Sequence, residues 1–332
     1  MHERSIEKSI SIPVSTKERF LGAFSPFYRL LRMGIRCAEA VDENLVILSI
    51  GNTLYELDVE TGALSEGWNC GAGIRPLVMT TVKGIHGIED GVLFGGYLRN
   101  KEKKPVHIYR RTGKDSWEVV YTFPQGAVNH IHNIIADPYR QCIWVFSGDF
   151  DDSAAIWRVT GDFNKVERVV SNNQKYRGCV AYALPEGLLY ATDAPYAENF
   201  IYLMDVGTFE VQSLYPLHGS CIYGCQWKGE YVFSSSVEGD GRVAKHRTLF
   251  YKGSRDRGSG IKDDFVHLYM GNNVSGFEEI YKEKKDCLSY LFQLGVFKFP
   301  YGTNNTDTLY FQPVATNKND LCLMAIKDNS NQ

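Results

Sequence analysis

A chain of 332 residues is long enough for a large core, and 20 Tyr, 18 Phe and 31 Gly against 11 Pro describe short aromatic strands joined by glycine turns. The formal net charge of -3 excludes a global field that attracts nucleic acid, so a polyanion would have to be held by local arginines. Eight scattered cysteines, with no CxxC pair and no metal-ligand spacing, read as reduced core thiols.

The N-terminal MHERSIEKSISIPVS lacks the apolar stretch of a secretory signal, and no window approaches ~18 apolar residues. The expected location is the cytoplasm, with no membrane span. Along the chain one unit recurs: a strand closing on a tight glycine turn, at Gly62, Gly113, Gly161, Gly207 and Gly271, with a sixth such strand from Leu321 to Ile326. A preceding strand stands before each, at residues 45–50, 92–98, 142–149, 188–194, 231–236 and 308–315. Fourth strands begin at Trp117, Lys165, Phe209 and Phe277.

Apolar residues in these segments alternate or run for a few positions, and the repeat interval is that of four-stranded blades. The expectation is one all-β domain over residues 1–332, a six-bladed β-propeller. Its last unit is a strand short, and the N-terminal SISIPV, residues 9–14, is expected to supply it and close the ring by pairing the two chain ends. The fifth blade carries an insert, residues 237–264, placed to lid a site.

In a propeller the starts of the first strands meet the second-to-third strand connections at one face. Aligned on their second strands, His86, His132, Arg177 and Tyr223 fall at one register, and the connections add Asp149, Asp193, Tyr196 and Glu238, with His130 and Arg75 beside them. Arginine grips a carboxylate bidentately, imidazole moves a proton near neutral pH, and tyrosine stacks on a pyranose. His86, His132, Arg177 and Tyr223 are therefore the candidate catalytic residues, and His130, Asp149, Asp193, Tyr196, Glu238 and Arg75 the candidate substrate-binding ones.

A uronate suits β-elimination at such a ring; carboxylates opposed across the mouth would suit glycoside hydrolysis. His130 and His132 share a strand face and have chelating spacing, but no third ligand shows at useful spacing. No metal and no cofactor is expected. Phosphate-cradling, dinucleotide and nucleophile-elbow motifs are missing from the sequence.

IYRRTGKDSWEVVYTF, residues 108–123, resembles the bacterial neuraminidase repeat, or Asp-box, with Gly113, Asp115 and Trp117 kept around a shortened turn; IWRVTGDFNKVERV repeats it without the tryptophan. The stretch from RLLRMGI at Arg29 through HIHNIIADPYRQCIWVFSGD to SCIYGCQW resembles sialidase-like propellers, glycosyl hydrolase-like proteins. That resemblance implies a propeller acting on carbohydrate. A sialidase's three arginines, Tyr/Glu pair and Asp acid would be drawn from Arg36, Arg75, Arg177, Arg242, Tyr223, Glu238 and Asp149. Propeller polysaccharide lyases likewise use His, Tyr and Arg. The expected partner is an anionic oligo- or polysaccharide, and the alternative is a non-catalytic protein- or glycan-interaction module.

Overall fold

The computed structural model describes residues 9–12, 14–71, 73–241, 252–300 and 302–328. Six small antiparallel sheets form a six-bladed β-propeller. The first strands of the blades are Ile35–Ala40, Met79–Val82, His130–Asp137, Gly178–Leu184, Cys221–Trp227 and Val296–Lys298. Blades two to five have four long or medium strands each, whereas the fourth strand of blade one shrinks to Trp68–Asn69.

Apolar side chains between neighbouring sheets make the core. Ile131, Ile143, Val145 and Trp157 of blade three pack on Leu93, Ile108 and Phe123 of blade two. On its other face Trp144, Phe146 and Ile156 meet Tyr190 and Leu188 of blade four. Cys142, Cys179, Cys221 and Cys225 lie buried and unbridged in these layers, while Cys287 and Cys322 are exposed thiols. The turn between Val106–Gly113 and Ser116–Phe123 holds Asp115 in the left-handed region, at a φ of 49°. The Asp115 carboxylate accepts the Ser65 hydroxyl at 2.6 Å, so the eroded box ties blade two to blade one.

The ring is not closed as expected. Residues 9–12 and 14 carry no strand, and blade six keeps three strands, Val296–Lys298, Thr308–Val314 and Met324–Lys327. The physical reason is local: Ser15 and Glu18 form a capping box that starts the helix Thr16–Gly22 directly after this segment. A second helix, Ser25–Leu30, delivers the buried Arg29 to Asp286 at 2.6 Å and Asp320 at 3.2 Å, binding the N-terminal segment to blade six by charge. Among the described residues, no helix is long and apolar enough to cross a membrane.

Candidate functional site at the channel mouth

Four first strands share one irregularity near the mouth. Pairing with the second strand skips a residue at Arg36, His132, Cys179 and Ile222, the signature of a β-bulge. The bulges re-aim side chains toward the channel and also correct the expected register. Aligned on them, Arg177 matches His130 rather than His132, and Tyr223 lies one position deeper.

In blade three, His130 Nδ1 donates to the Leu98 carbonyl at 3.0 Å, which leaves its Nε2 as an acceptor in the neutral ring. That Nε2 faces His132 Nε2 at 3.0 Å and Asp149 Oδ1 at 3.1 Å, and His132 Nε2 lies 3.3 Å from the same oxygen. Burial lowers the His132 pKa to about 4, so this ring is neutral near pH 7. Burial alone would raise the Asp149 pKa, yet the two imidazoles beside it and the Arg177 charge hold it well below the carboxylate range.

With its proton on Nδ1, His130 turns an Nε2 lone pair toward His132 Nε2 and Asp149 Oδ1, so three ligand atoms converge on one point. A cation suits that point. Tetrahedral coordination at 2.0–2.1 Å needs ligand atoms roughly 3.3 Å apart, within a few tenths of an ångström of the spacing here. Asp149 would be the third ligand that sequence spacing did not reveal, because it stands across a strand pair from the histidines.

Arg177 lies between two carboxylates, with its Nη2 3.0 Å from Asp149 and 3.1 Å from Asp193. Both acids keep the guanidinium charged against the cost of burial. Burial pushes Asp193 up to about 7, opposed by Arg177 and reinforced by Glu238 and Asp149. The Glu238 carboxylate accepts the Ser236 hydroxyl at 2.7 Å. An open cavity of about 540 Å³ lies over His130 and Asp149, walled by Asn129, Lys101, Phe150 and Tyr196. Phe150 and Tyr196 stack at 6.1 Å with ring planes 20° apart.

The other half of the channel is cationic. Arg36, Arg75 and Lys298, with Arg32, Tyr97 and Tyr223, line a cavity of about 50 Å³. None of these four cations has an ion pair among the described residues, and Arg36 Nε is buried without a hydrogen-bond partner. Burial, then Arg75 and Arg32, lower the Arg36 pKa to about 10; burial, then Arg36 and Arg32, lower Lys298 to about 8. Burial chiefly raises Tyr223 to about 12. Tyr97 borders both halves, its ring centroid 4.5 Å from that of His130.

The structure thus gathers His130, His132, Asp149, Arg177 and Asp193 in one group, with Tyr196 on its cavity wall, and Arg75 with Tyr223 in the other. Glu238 stands near Arg177. His86 does not join them. It is exposed in the turn after Met79–Val82, its backbone N–H held by Gln141 of the turn that follows His130–Asp137, at the opposite end of the first strands. The short blade-two strand moved the alignment: the position opposite Phe94 is Met79, well before His86. Of the sialidase-type arginines, Arg36 and Arg75 sit together, Arg177 is committed to two aspartates, and Arg242 lies outside the described residues. Lys298 escaped the sequence reading because blade six lacks the repeat's regular spacing.

A second group of potential metal ligands, His218, Asp263 and His267, lies where blades four and five meet. No family model matches the chain, and no curated protein matches it. Among solved structures it is similar to an oligogalacturonate lyase in complex with manganese, at 14% identity and a TM-score of 0.51, covering 87% of this chain and 75% of that one. It is also similar to the extracellular domain of a hybrid two-component system from B. thetaiotaomicron, at 10% identity and a TM-score of 0.52, covering 89% of this chain and 33% of that one. At such identities the likeness is one of fold: a six-bladed propeller.

Proposed function

We propose that the channel mouth binds an anionic glycan through a uronate and cleaves it by β-elimination. The observation that carries this reading is the cavity of unpaired cations, Arg36, Arg75 and Lys298, adjoining the His130, His132 and Asp149 group across Tyr97. A cavity of about 50 Å³ has room for one carboxylate, and cations without counter-ions favour a charged occupant. Neutralising that carboxylate acidifies the carbon beside it. His130 lines the larger cavity and is the group to take that carbon's proton, with His132 and Asp149 behind it to offset the developing imidazolium charge; the C–H electron pair forms the double bond as the glycosidic C–O bond on the next carbon breaks, and the departing oxygen takes a proton from water in the open cavity. Phe150 and Tyr196 offer an apolar wall to a pyranose face.

The same three residues would hold a divalent ion. Bound there, it would supply positive charge to the uronate carboxylate. The oligogalacturonate lyase, a manganese complex of the same fold, is consistent with this reading without fixing it. Hydrolysis is less well served, since Asp193 is buried and shares Arg177 with Asp149 rather than facing it across the cleft.

The test is incubation with acidic oligosaccharides while following the absorbance of an unsaturated uronate, with neutral oligosaccharides as control. Release of that chromophore is expected, and Arg75→Ala should lower kcat/KM about a hundredfold by removing a charged contact to substrate. Loss of turnover under chelator that Asp149→Asn reproduces and Asp263→Asn does not assigns His130, His132 and Asp149 the ligand role; persistence under chelator assigns His130 the base role. New reducing ends without the chromophore, or saturable binding without product, would overturn elimination.

A further inference from the structure

We infer that His218, Asp263 and His267 form a second divalent-metal site, of zinc type, that pins blade four to the foot of the blade-five insertion. His218 follows the outer strand of blade four, Val211–Leu217; Asp263 and His267 flank the start of Phe265–Asn272, the third strand of blade five. The ligands therefore come from two blades, yet their atoms meet at one point.

His218 Nδ1 is 3.0 Å from Asp263 Oδ2 and 3.0 Å from His267 Nε2. His267 Nε2 is 3.0 Å and 3.2 Å from the two Asp263 oxygens. These separations again fall a few tenths of an ångström inside the roughly 3.3 Å edge of a zinc-centred tetrahedron with nitrogen and oxygen ligands. Two imidazoles and a carboxylate are the donor set for zinc or a similar transition ion, not for calcium.

The proton inventory points the same way. His267 is 1% exposed, and its Nδ1 meets the Glu279 carboxylate, an acceptor, so that nitrogen carries the proton. His267 Nε2 is then the nitrogen turned to the cluster, facing Asp263 and His218 at ligand spacing. Glu279 is in turn steadied by Lys282 at 2.9 Å, giving the carboxylate–histidine–metal relay by which such sites fix a ligand's tautomer. His218 and Asp263 are 41% and 37% exposed, which leaves a fourth position open to water.

The location gives the ion its purpose. Lys262 N–H donates to the His218 carbonyl at 2.8 Å, and Gly260 N–H to the Pro195 carbonyl at 2.9 Å, so the returning leg of the insertion already rests on blade four. An ion at Asp263 locks that leg in place beside the channel mouth.

Chelator-stripped full-length protein should be titrated with zinc against a chromophoric chelator, with the unfolding midpoint read in parallel. His218→Ala, on a half-exposed loop residue, and Asp263→Asn should each abolish one tight equivalent and the matching rise in midpoint, while Asp149→Asn leaves that equivalent in place. His218→Ala should match the unmodified protein's midpoint in chelator, which separates lost binding from lost folding. Zinc uptake unchanged by both His218→Ala and Asp263→Asn, or no uptake at all, overturns the second site. Because Asp149→Asn tests the mouth separately, either site can fail without the other.

Discussion

Lys298 carries a charge that a modest rise in pH removes. Burial first, and then Arg36 and Arg32, bring its ammonium from 10.5 to about 8, so it is charged at neutral pH and loses that charge just above it. Affinity for a carboxylate ligand should therefore fall as pH rises through about 8. Lys298→Arg keeps a permanent charge and should flatten the profile, which ligand titrations at pH 7 and pH 9 will read. The sign for stability is opposite. Between about 8 and 10.5 the unfolded lysine holds a proton that the folded one has lost, so the folded state gains relative stability as pH rises across that window. A profile unchanged in Lys298→Arg would separate this lysine from the bound anion.

At the scale of one strand pair, the site depends on a bulge and on a glycine opposite it. Gly148 ends Cys142–Gly148 and pairs with His130, and a Cβ there would run into the imidazole of His132. Gly148→Ala should thus displace His132, costing about 1–3 kcal/mol of stability. It should also weaken mouth ion binding more than tenfold without touching a ligand chemically. Gly148→Ala combined with His132→Ala should regain the stability but not the ion, as thermal unfolding and zinc titration on the single and double variants will show. This element also marks how far the sequence could be read. Alternating apolar runs and glycine turns announce the blades, because strand period and turn chemistry are local. The bulges are not, since each is a two-against-one pairing between strands, and they shifted Arg177 and Tyr223 out of the expected register. His86 was lost for another reason: the first strand of its blade pairs without a bulge, is only four residues long and ends before it. Of the cationic half the sequence offered Arg36 and Arg75 but not Lys298, which joins them only across the seam between blades six and one.

For the ring as a whole, the two halves of the mouth depend differently on closure. His130, His132 and Asp149 belong to blade three alone and keep their geometry while that sheet is intact. Arg36 and Lys298 stand on opposite sides of the seam between blades one and six. The segment leading into blade one is held to blade six through Arg29, 1% exposed, and its contacts to Asp286 and Asp320, with Ser25 donating to Asp320 at 2.6 Å. Arg29→Ala leaves Asp320 without the guanidinium and Asp286 with Lys285 alone, 3.0 Å away. Both carboxylates are partly solvated, so the cost should be nearer about 3 kcal/mol than the upper end for buried pairs. In a chain of 332 residues that corresponds to a fall of roughly 4 °C in the unfolding midpoint. The loosened seam should weaken carboxylate binding at Arg36 and Lys298 several-fold, while zinc binding at His130, His132 and Asp149 stays within about twofold. Equal losses at both would mean that Arg29 supports the fold generally; a loss confined to the anion would mean that the N-terminal helices set the width of the cationic half by holding the ring shut.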